Sequence, residues 1–269
     1  MSDKEHVTNA TGTAIRRPSK WIRQAESKHV AQAEALPLRR DMVTLLTYLH
    51  ENRVKGTQST GNLPLKAVRE VTARFVNPPE LETTLGDYTY RVRSEDDVWP
   101  LYFLHTLAYV GGLLVGGPAQ PWVVTRDGAM FLTASPLVQV WMLFTIWWEG
   151  IDWLIAYPLG GMGESLPPRL HKTTLTHLLS LPVGKRIPFE PFADRLIEKT
   201  KLKWTAPDMT YAHESLRGAI RRMVIGILDD FGVVEAEYQD QPLGAGTIRD
   251  LVAFEITSFG KGLLESLQA

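Results

Sequence analysis

Two long stretches without charged residues limit what this chain can fold into. No Asp, Glu, Lys or Arg occurs from Val98 to Thr125, or from Gly128 to Trp148. A transmembrane helix needs about 20 consecutive apolar residues, but Pro and Gly interrupt the first stretch and Ser135-Pro136 interrupts the second. No Lys/Arg excess flanks them, and no signal-peptide pattern stands near the N-terminus. We therefore expect no membrane insertion, and we predict that both stretches form the core of a globular protein.

The composition excludes several classes of protein. The chain has 269 residues, with 29 Lys and Arg, 30 Asp and Glu, and no cysteine. This length suits one large domain or two ordinary ones. The lack of cysteine excludes disulfide frameworks, thiolate zinc sites, cysteine nucleophiles and iron–sulfur clusters, and it favours a cytoplasmic location. Because the net charge is near zero, any contact with DNA is expected to be local.

Changes in composition divide the chain into four predicted segments. Residues 1–35 are polar and basic, which predicts a flexible tail that could follow a phosphate backbone. A folded domain is expected over 36–157 and ends in a Trp-rich helix. Residues 158–167 are rich in Gly and Pro and predict a hinge. A second domain is expected over 168–269.

Each predicted domain consists of helices followed by a β-hairpin. In the first domain, Asp127-Gly128 predicts the turn between strands at Trp122–Thr125 and Ala129–Thr133. In the second, an amphipathic helix over 211–231 precedes a hairpin that ends at Thr257. Three helices followed by a two-stranded wing form the winged-helix arrangement. We predict a mainly α fold with small β-hairpins, in which two winged-helix-like domains pack through the Trp-rich helix.

Similar short motifs close both hairpins. Gly112-Leu113-Leu114 precedes Thr125-Arg126-Asp127-Gly128 in the first domain. Gly232-Val233-Val234 precedes Thr257-Ser258-Phe259-Gly260 in the second. This closure is familiar from winged-helix proteins and supports the predicted repeat.

The first domain also resembles a family of bacterial proteins. Thr60-Gly61-Asn62-Leu63-Pro64, Ser135-Pro136 and Trp147-Trp148 are similar to motifs of helicase-associated winged-helix proteins that resemble the N-terminal region of the XPB helicase family. The resemblance covers residues 40–157, and it implies a helicase-like, repair or transcription-regulating context. The chain has no Walker A loop, so the implied role is non-catalytic.

Basic residues of the first domain are the candidates for contact with double-stranded DNA. On a helical wheel, residues 64–75 have one apolar face and one mainly basic face. Arg and Lys on such a face contact phosphates or guanine edges. The alternative is an ordinary solvated face, and Glu70 weakens the positive patch. The candidates are Lys55, Lys66, Arg69, Arg74 and, at the predicted tip of the hairpin, Arg126.

The second domain has further basic clusters. They are Lys199–Lys203 and the group of Arg217, Arg221 and Arg222. The predicted second helix of this domain combines acidic and basic residues, so we expect it to be a solvated face of mixed charge.

The Trp-rich helix at residues 136–157 has three interpretations. It could be a spine that packs the two domains together. It could also expose an aromatic patch to a protein partner or to a second copy in a homodimer. A third interpretation is an apolar pocket of a small-ligand-sensing regulator. The residues concerned are Trp141, Trp147, Trp148 and Trp153.

The sequence contains no recognisable catalytic or metal-binding motif. No His-x-x-x-His pair, Gly-x-Ser-x-Gly elbow or phosphate-binding glycine loop occurs. We therefore predict no enzyme activity, no cofactor and no metal. The leading hypothesis is a non-catalytic winged-helix DNA-binding protein. The alternatives are a protein-interaction scaffold and a small-ligand-sensing regulator.

Overall fold

The computed structural model describes residues 20–25, 27–85, 88–156, 166–206, 208–243 and 246–268. Within these ranges the protein is mainly helical and has three small antiparallel sheets. The part of the predicted tail before residue 20 and residues 158–165 of the predicted hinge lie outside the described residues.

The prediction of a flexible tail is wrong for residues 20–24 and 27–35, because they form two packed helices. These are α1 (Lys20–Gln24) and α2 (Ser27–Ala35). Ala33 is fully buried, and the Trp21 ring packs edge-on against Phe259 at 6.0 Å between centroids. A Cβ at Gly262 would lie only 2.0 Å from that indole, so glycine makes the contact possible. The helices are stabilised by partners far along the chain, which local periodicity does not reveal.

The remaining elements of the first half form a helix–strand–helix–helix–hairpin sequence. Lys55 pairs with Pro121, so an extended segment between two helices joins the hairpin. Proline in the first turn of three helices matches their starts, because that position needs no intrahelical N–H donor. The elements are α3 (Pro37–Glu51), α4 (Leu65–Thr72), β1 (Glu82–Leu85), β2 (Tyr88–Arg91), α5 (Trp99–Val110), β3 (Leu114–Gly117), β4 (Gln120–Val124), α6 (Arg126–Thr133) and α7 (Pro136–Gly150).

The first hairpin does not lie where the sequence predicts it. The hairpin consists of β3 and β4, whereas the predicted strand Ala129–Thr133 belongs to helix α6. The Asp127-Gly128 pair lies in the first turn of α6 instead of a hairpin turn. The reason is a local cap, since Thr125 Oγ1 accepts a hydrogen bond from the Gly128 N–H at 3.0 Å.

The second half repeats the order of the first, apart from the β1–β2 ribbon that lies between α4 and α5. The predicted long helix is present as α10 and α11, which a π-helical segment at Arg221–Gly226 joins. The predicted hairpin is also present, and Ile187 of the short strand β5 pairs with Phe254. The elements are α8 (Leu170–Leu179), β5 (Ile187–Pro188), α9 (Phe189–Thr200), α10 (Met209–Ile220), α11 (Ile227–Asp230), β6 (Val234–Leu243), β7 (Gly246–Ile256) and α12 (Ser258–Ser266).

One threonine closes the first half after its hairpin. Thr125 Oγ1 donates to the carbonyl of Gly112 at 2.6 Å, while it caps α6. Gly112 has φ of +68°, which lets the chain turn out of α5 into β3. A Cβ at Gly128 would lie 2.3 Å from the carbonyl oxygen of Leu113. The start of α6 therefore lies directly against the residue at which α5 turns into the hairpin.

The second half is closed by the corresponding atoms. Thr257 Oγ1 donates to the carbonyl of Gly232 at 2.8 Å and accepts from the Gly260 N–H at 2.8 Å. Gly232 has φ of +66°, and a Cβ at Gly260 would lie 2.0 Å from the carbonyl oxygen of Val233. The two halves thus share both the order of their elements and the hydrogen bonds of their closure.

Helix α7 packs the two halves together. Trp147 stacks on Trp153 at 5.0 Å between centroids and lies 5.7 Å from Phe231 of the second half. Trp141 is 3 % exposed, and Trp147, Trp148 and Trp153 are also buried. The interpretation as an exposed interaction patch is therefore wrong, because all four indoles are buried and three of them pack against aromatic rings of the second half.

Candidate nucleic-acid interface

The five predicted contact residues are all exposed, but they do not form one patch. Lys66 and Arg69 lie one turn apart on α4. Arg74 follows the end of this helix, and Lys55 lies on the extended segment before it. Arg126 is the first residue of α6.

Arg126 is not at the tip of the hairpin, as the sequence predicts. The turn between β3 and β4 is at Pro118 and Ala119, and Arg126 follows the opposite end of β4. From Pro121, which pairs with Lys55, the chain reaches Arg126 after about 16 Å at about 3.3 Å per residue. Arg126 and Lys55 therefore belong to different parts of the surface.

The charges on α4 are partly neutralised. Lys66 Nζ lies 3.8 Å from a carboxylate oxygen of Glu70, and the Tyr48 hydroxyl donates to the same carboxylate at 2.6 Å. Burial and Glu70 raise the pKa of Tyr48 to about 12, so its hydroxyl stays a donor. The Arg74 guanidinium lies 5.4 Å from the centroid of the Tyr48 ring. Arg69 makes no ion pair with a described residue, so α4 offers Lys66 and Arg69 beside one acid.

Helix α5 would enter the DNA groove if the winged-helix prediction holds, but its surface does not suit that role. It contains no charged residue, and its partly exposed Trp99 and Tyr102 line a cavity of about 1010 Å³ between the halves. Carboxylates outnumber cations in the lining and would repel phosphate. The charged lining residues are Asp96, Asp152, Asp229, Asp230 and Arg222.

Among the carboxyl groups that line this cavity, Asp230 has the pKa that is shifted furthest from its usual value. It has no hydrogen bond or ion pair within the described chain. Solvent reaches it from the cavity. The surrounding protein still desolvates it, and together with the charge of Asp229 this raises its pKa to about 7. Because a carboxyl group with this pKa is about half protonated at neutral pH, the repulsion of phosphate in this cavity rests mainly on the other three acidic residues of the lining.

The predicted arginine cluster of the second half is largely neutralised. Arg217 lies 2.7 Å from Asp194 and also pairs with Glu190 and Glu214. Hydrogen bonds from Arg217 hold the pKa of Asp194 below its usual range. Arg221 pairs with Asp250. The cluster therefore offers DNA much less positive charge than the sequence suggests.

A cationic cavity lies instead along α8, and of its basic residues only Lys199 belongs to a cluster that the sequence predicts. We call it the α8 cavity, and its volume is about 510 Å³. None of the described residues that line it is acidic. Its residues recur every three or four positions along one face of a helix, and this spacing is the sequence signal that could have found it. The lining residues are Arg169, Lys172, Thr173, Thr176, His177, Ser180 and, from α9, Lys199.

The described residues contain little support for a small-ligand pocket among the tryptophans. The rings of Trp147, Trp148 and Trp153 face one another, as well as Phe231 and His171. These aromatic side chains fill the space between the halves themselves. The Trp-lined pocket expected of a ligand-sensing regulator is therefore not formed by these residues.

Two kinds of feature are absent from the described ranges. No group of three or more His, Asp or Glu side chains in them is placed to hold a metal ion. None of the helices they contain is long and apolar enough to cross a membrane.

Comparison with known proteins gives no relative. No protein-family model, curated protein or solved structure matches this chain.

Proposed function

We propose that this chain is a non-catalytic DNA-binding protein made of two winged-helix units. The observation that carries the proposal is the repeated order of helix, short strand, helix, helix and hairpin, with the same threonine closure in both halves. Winged-helix units are helix-turn-helix relatives that bind duplex DNA. The resemblance to helicase-associated winged-helix proteins would place the protein in repair, transcription or helicase-linked processes.

The contact we propose is with the phosphate backbone through α4. Lys66 and Arg69 extend from this helix into solvent, and no acid in the described part of the chain pairs with Arg69. Contacts to phosphate fix a protein on the duplex but do not read its sequence. Because α5 is apolar and lines an acidic cavity, we do not expect it to contact base edges. The preference of the protein for particular DNA sequences should therefore be weak. The near-neutral chain is then expected to make few phosphate contacts.

Fluorescence anisotropy with a labelled duplex tests this proposal. Affinity should fall steeply as salt rises, because bound cations release counterions from DNA. Lys66→Gln/Arg69→Gln should weaken binding about tenfold and reduce the slope of log K against log salt by about 2, one for each lost phosphate contact.

The matched control removes two other exposed lysines. Lys185→Gln/Lys203→Gln has a comparable charge change, and neither residue lines a described cavity. An equal loss of affinity in this control would mean that general charge, and not α4, supports binding. Absence of duplex binding by the unaltered protein at low salt would refute the proposal.

A second candidate function is a protein-interaction scaffold. The ribbon of β1 and β2 pairs with no other strand among the described residues, and Tyr88 and Tyr90 on it are 74 % and 62 % exposed. An unpaired ribbon with exposed aromatic side chains can bind another chain through its edge. We expect self-association in light scattering that Tyr88→Ser/Tyr90→Ser removes. Met209→Ser/Tyr211→Ser, which removes another exposed apolar pair, should leave it unchanged, and a monomer at all concentrations would exclude a homodimer.

A further inference from the structure

We propose that the α8 cavity binds a phosphoryl group, either from a nucleic-acid backbone or as a free phosphate ion. The site is a groove of about 510 Å³, which is within the usual range of ligand cavities. The nucleic-acid source rests on the proposed function, whereas recognition of the phosphoryl group follows from the cavity itself.

The cavity is built by one face of α8 and the last turn of α9. Arg169 precedes α8, Lys172 lies in its first turn, and Lys199 reaches the groove from the end of α9. These helices pack against each other through Phe192 and His177, whose rings stack at 5.0 Å with an interplanar angle of 6°. The three cations are thus held around one groove by two packed helices.

The cations of the groove have no anionic partner among the residues that the structure describes. Arg169, Lys172 and Lys199 are exposed, and their side chains make no hydrogen bond or ion pair with the described residues. In this they differ from Lys66, which lies beside Glu70, and from Arg217, which lies among three acids. An uncompensated group of cations attracts an anion, and Arg and Lys are the side chains that bind phosphate.

The hydroxyl groups of the cavity differ in what they can offer to a ligand. Thr176 donates to the carbonyl of Lys172 at 2.9 Å, and Ser180 donates to that of His177 at 2.6 Å. The Thr173 hydroxyl makes no such bond within the described chain. We therefore expect Thr173 to donate to a bound phosphoryl oxygen beside the cations.

His177 reports the positive potential of the groove. It is 6 % exposed, and its pKa is lowered by burial and by the charges of Lys199 and Arg195. Lys261 adds another cation near this end of α8, where it donates to the carbonyl of Leu179. A bound anion would offset these charges and raise the pKa of His177.

The first experiment titrates the His177 imidazole by NMR in the full chain, with inorganic pyrophosphate as the probe. His177→Gln assigns the resonance. We expect pyrophosphate to raise the pKa of His177 saturably in the unaltered protein and in Lys185→Gln/Lys203→Gln. In Lys172→Gln/Lys199→Gln the free pKa should already be higher, and pyrophosphate should add no shift. A titration of His177 that is insensitive to pyrophosphate at millimolar concentration overturns the proposal for a free phosphate ion.

The second experiment uses duplex DNA to separate the sources of the phosphoryl group. If the backbone occupies the groove, Lys172→Gln/Lys199→Gln weakens duplex binding about tenfold, while Lys185→Gln/Lys203→Gln changes it little. A pyrophosphate response without duplex binding supports the cavity and refutes the proposed function. Duplex binding that only Lys66→Gln/Arg69→Gln weakens, with no pyrophosphate response, refutes the cavity and leaves the proposed function intact.

Discussion

Replacing Gly260 by alanine tests whether the threonine closure holds the second half together. The added Cβ would lie 2.0 Å from the carbonyl oxygen of Val233 and 2.4 Å from its Cα. Both obstacles are backbone atoms at the start of the hairpin, so they cannot rotate away as a side chain could. The equivalent Gly128→Ala in the first half brings a Cβ to 2.3 Å from the carbonyl oxygen of Leu113.

The expected loss of stability in these variants is the difference between two opposing effects. Alanine is favoured over glycine in a helix by about 1 kcal/mol. Relief of the clash requires a separation of more than 1 Å between packed backbone segments, and overpacking of this kind costs about 1–3 kcal/mol or more. Because the obstacle is backbone, we place the cost above the upper end of this range. We expect a net loss of about 2–4 kcal/mol in the free energy of unfolding.

Thermal and urea unfolding followed by circular dichroism measure this loss. For a chain of this length, about 2–4 °C of melting temperature corresponds to 1 kcal/mol, so each variant should melt about 4–16 °C lower. Gly150→Ala is the control, because its Cβ would meet only the end of the Val110 side chain at 3.2 Å. Gly260→Ala and Gly128→Ala variants as stable as Gly150→Ala would refute the close approach and, with it, the equivalence of the two closures.

Two further predictions concern buried and partly desolvated carboxyl groups. Glu95 is 1 % exposed and bonds to His105 Nδ1 at 2.6 Å and to the Leu63 N–H at 2.5 Å. Glu95→Ala leaves both groups without this partner and should lower the free energy of unfolding in urea by about 3 kcal/mol or more. Glu95→Gln should lower it less. An unchanged urea midpoint for Glu95→Ala would contradict this prediction. The folded-state pKa of Asp230 is raised from 3.8 to about 7, so its contribution to stability is present below about pH 4 and is lost as pH rises through about 7. As the pH rises from about 4 to 8, the free energy of unfolding of Asp230→Asn should therefore increase by about 1–2 kcal/mol relative to that of the unaltered protein. This amount already allows for the access of solvent to Asp230. Parallel stability–pH profiles of the two proteins would refute the prediction.

Much of the fold could be predicted from local patterns. The long helix that leads to the second hairpin is predicted by its apolar periodicity, because a helix repeats its buried face every three or four residues. The first hairpin was misplaced because Asp127-Gly128 also fits the first turn of a helix. Thr125 decided between the two by capping that turn. Helices α1 and α2 are not predicted, because partners such as Phe259, which packs against Trp21, lie far along the chain.

The candidate site was less predictable than the fold. Lys66 and Arg69 are exposed on one helix, as their spacing indicates. Arg217 belongs to a basic cluster in the sequence, but packing places Asp194 against it. The buried Glu95 lies within a charged connection that gives no sign of burial. A residue's charge is visible in the sequence, whereas its neighbours are not.

The sequence by itself determined most of the helical elements, but not α1, α2 or α6. It also determined the hairpin of the second half and the two closing motifs that end at Gly128 and Gly260. These depend on periodicity, turns and caps, which involve neighbouring residues. Only the tertiary structure decided which charges remain unpaired, because ion pairs and cavities join residues from different elements. In the tertiary structure Asp194 pairs with Arg217, α5 lies beside acidic residues, and Lys199 lies beside the cations of α8.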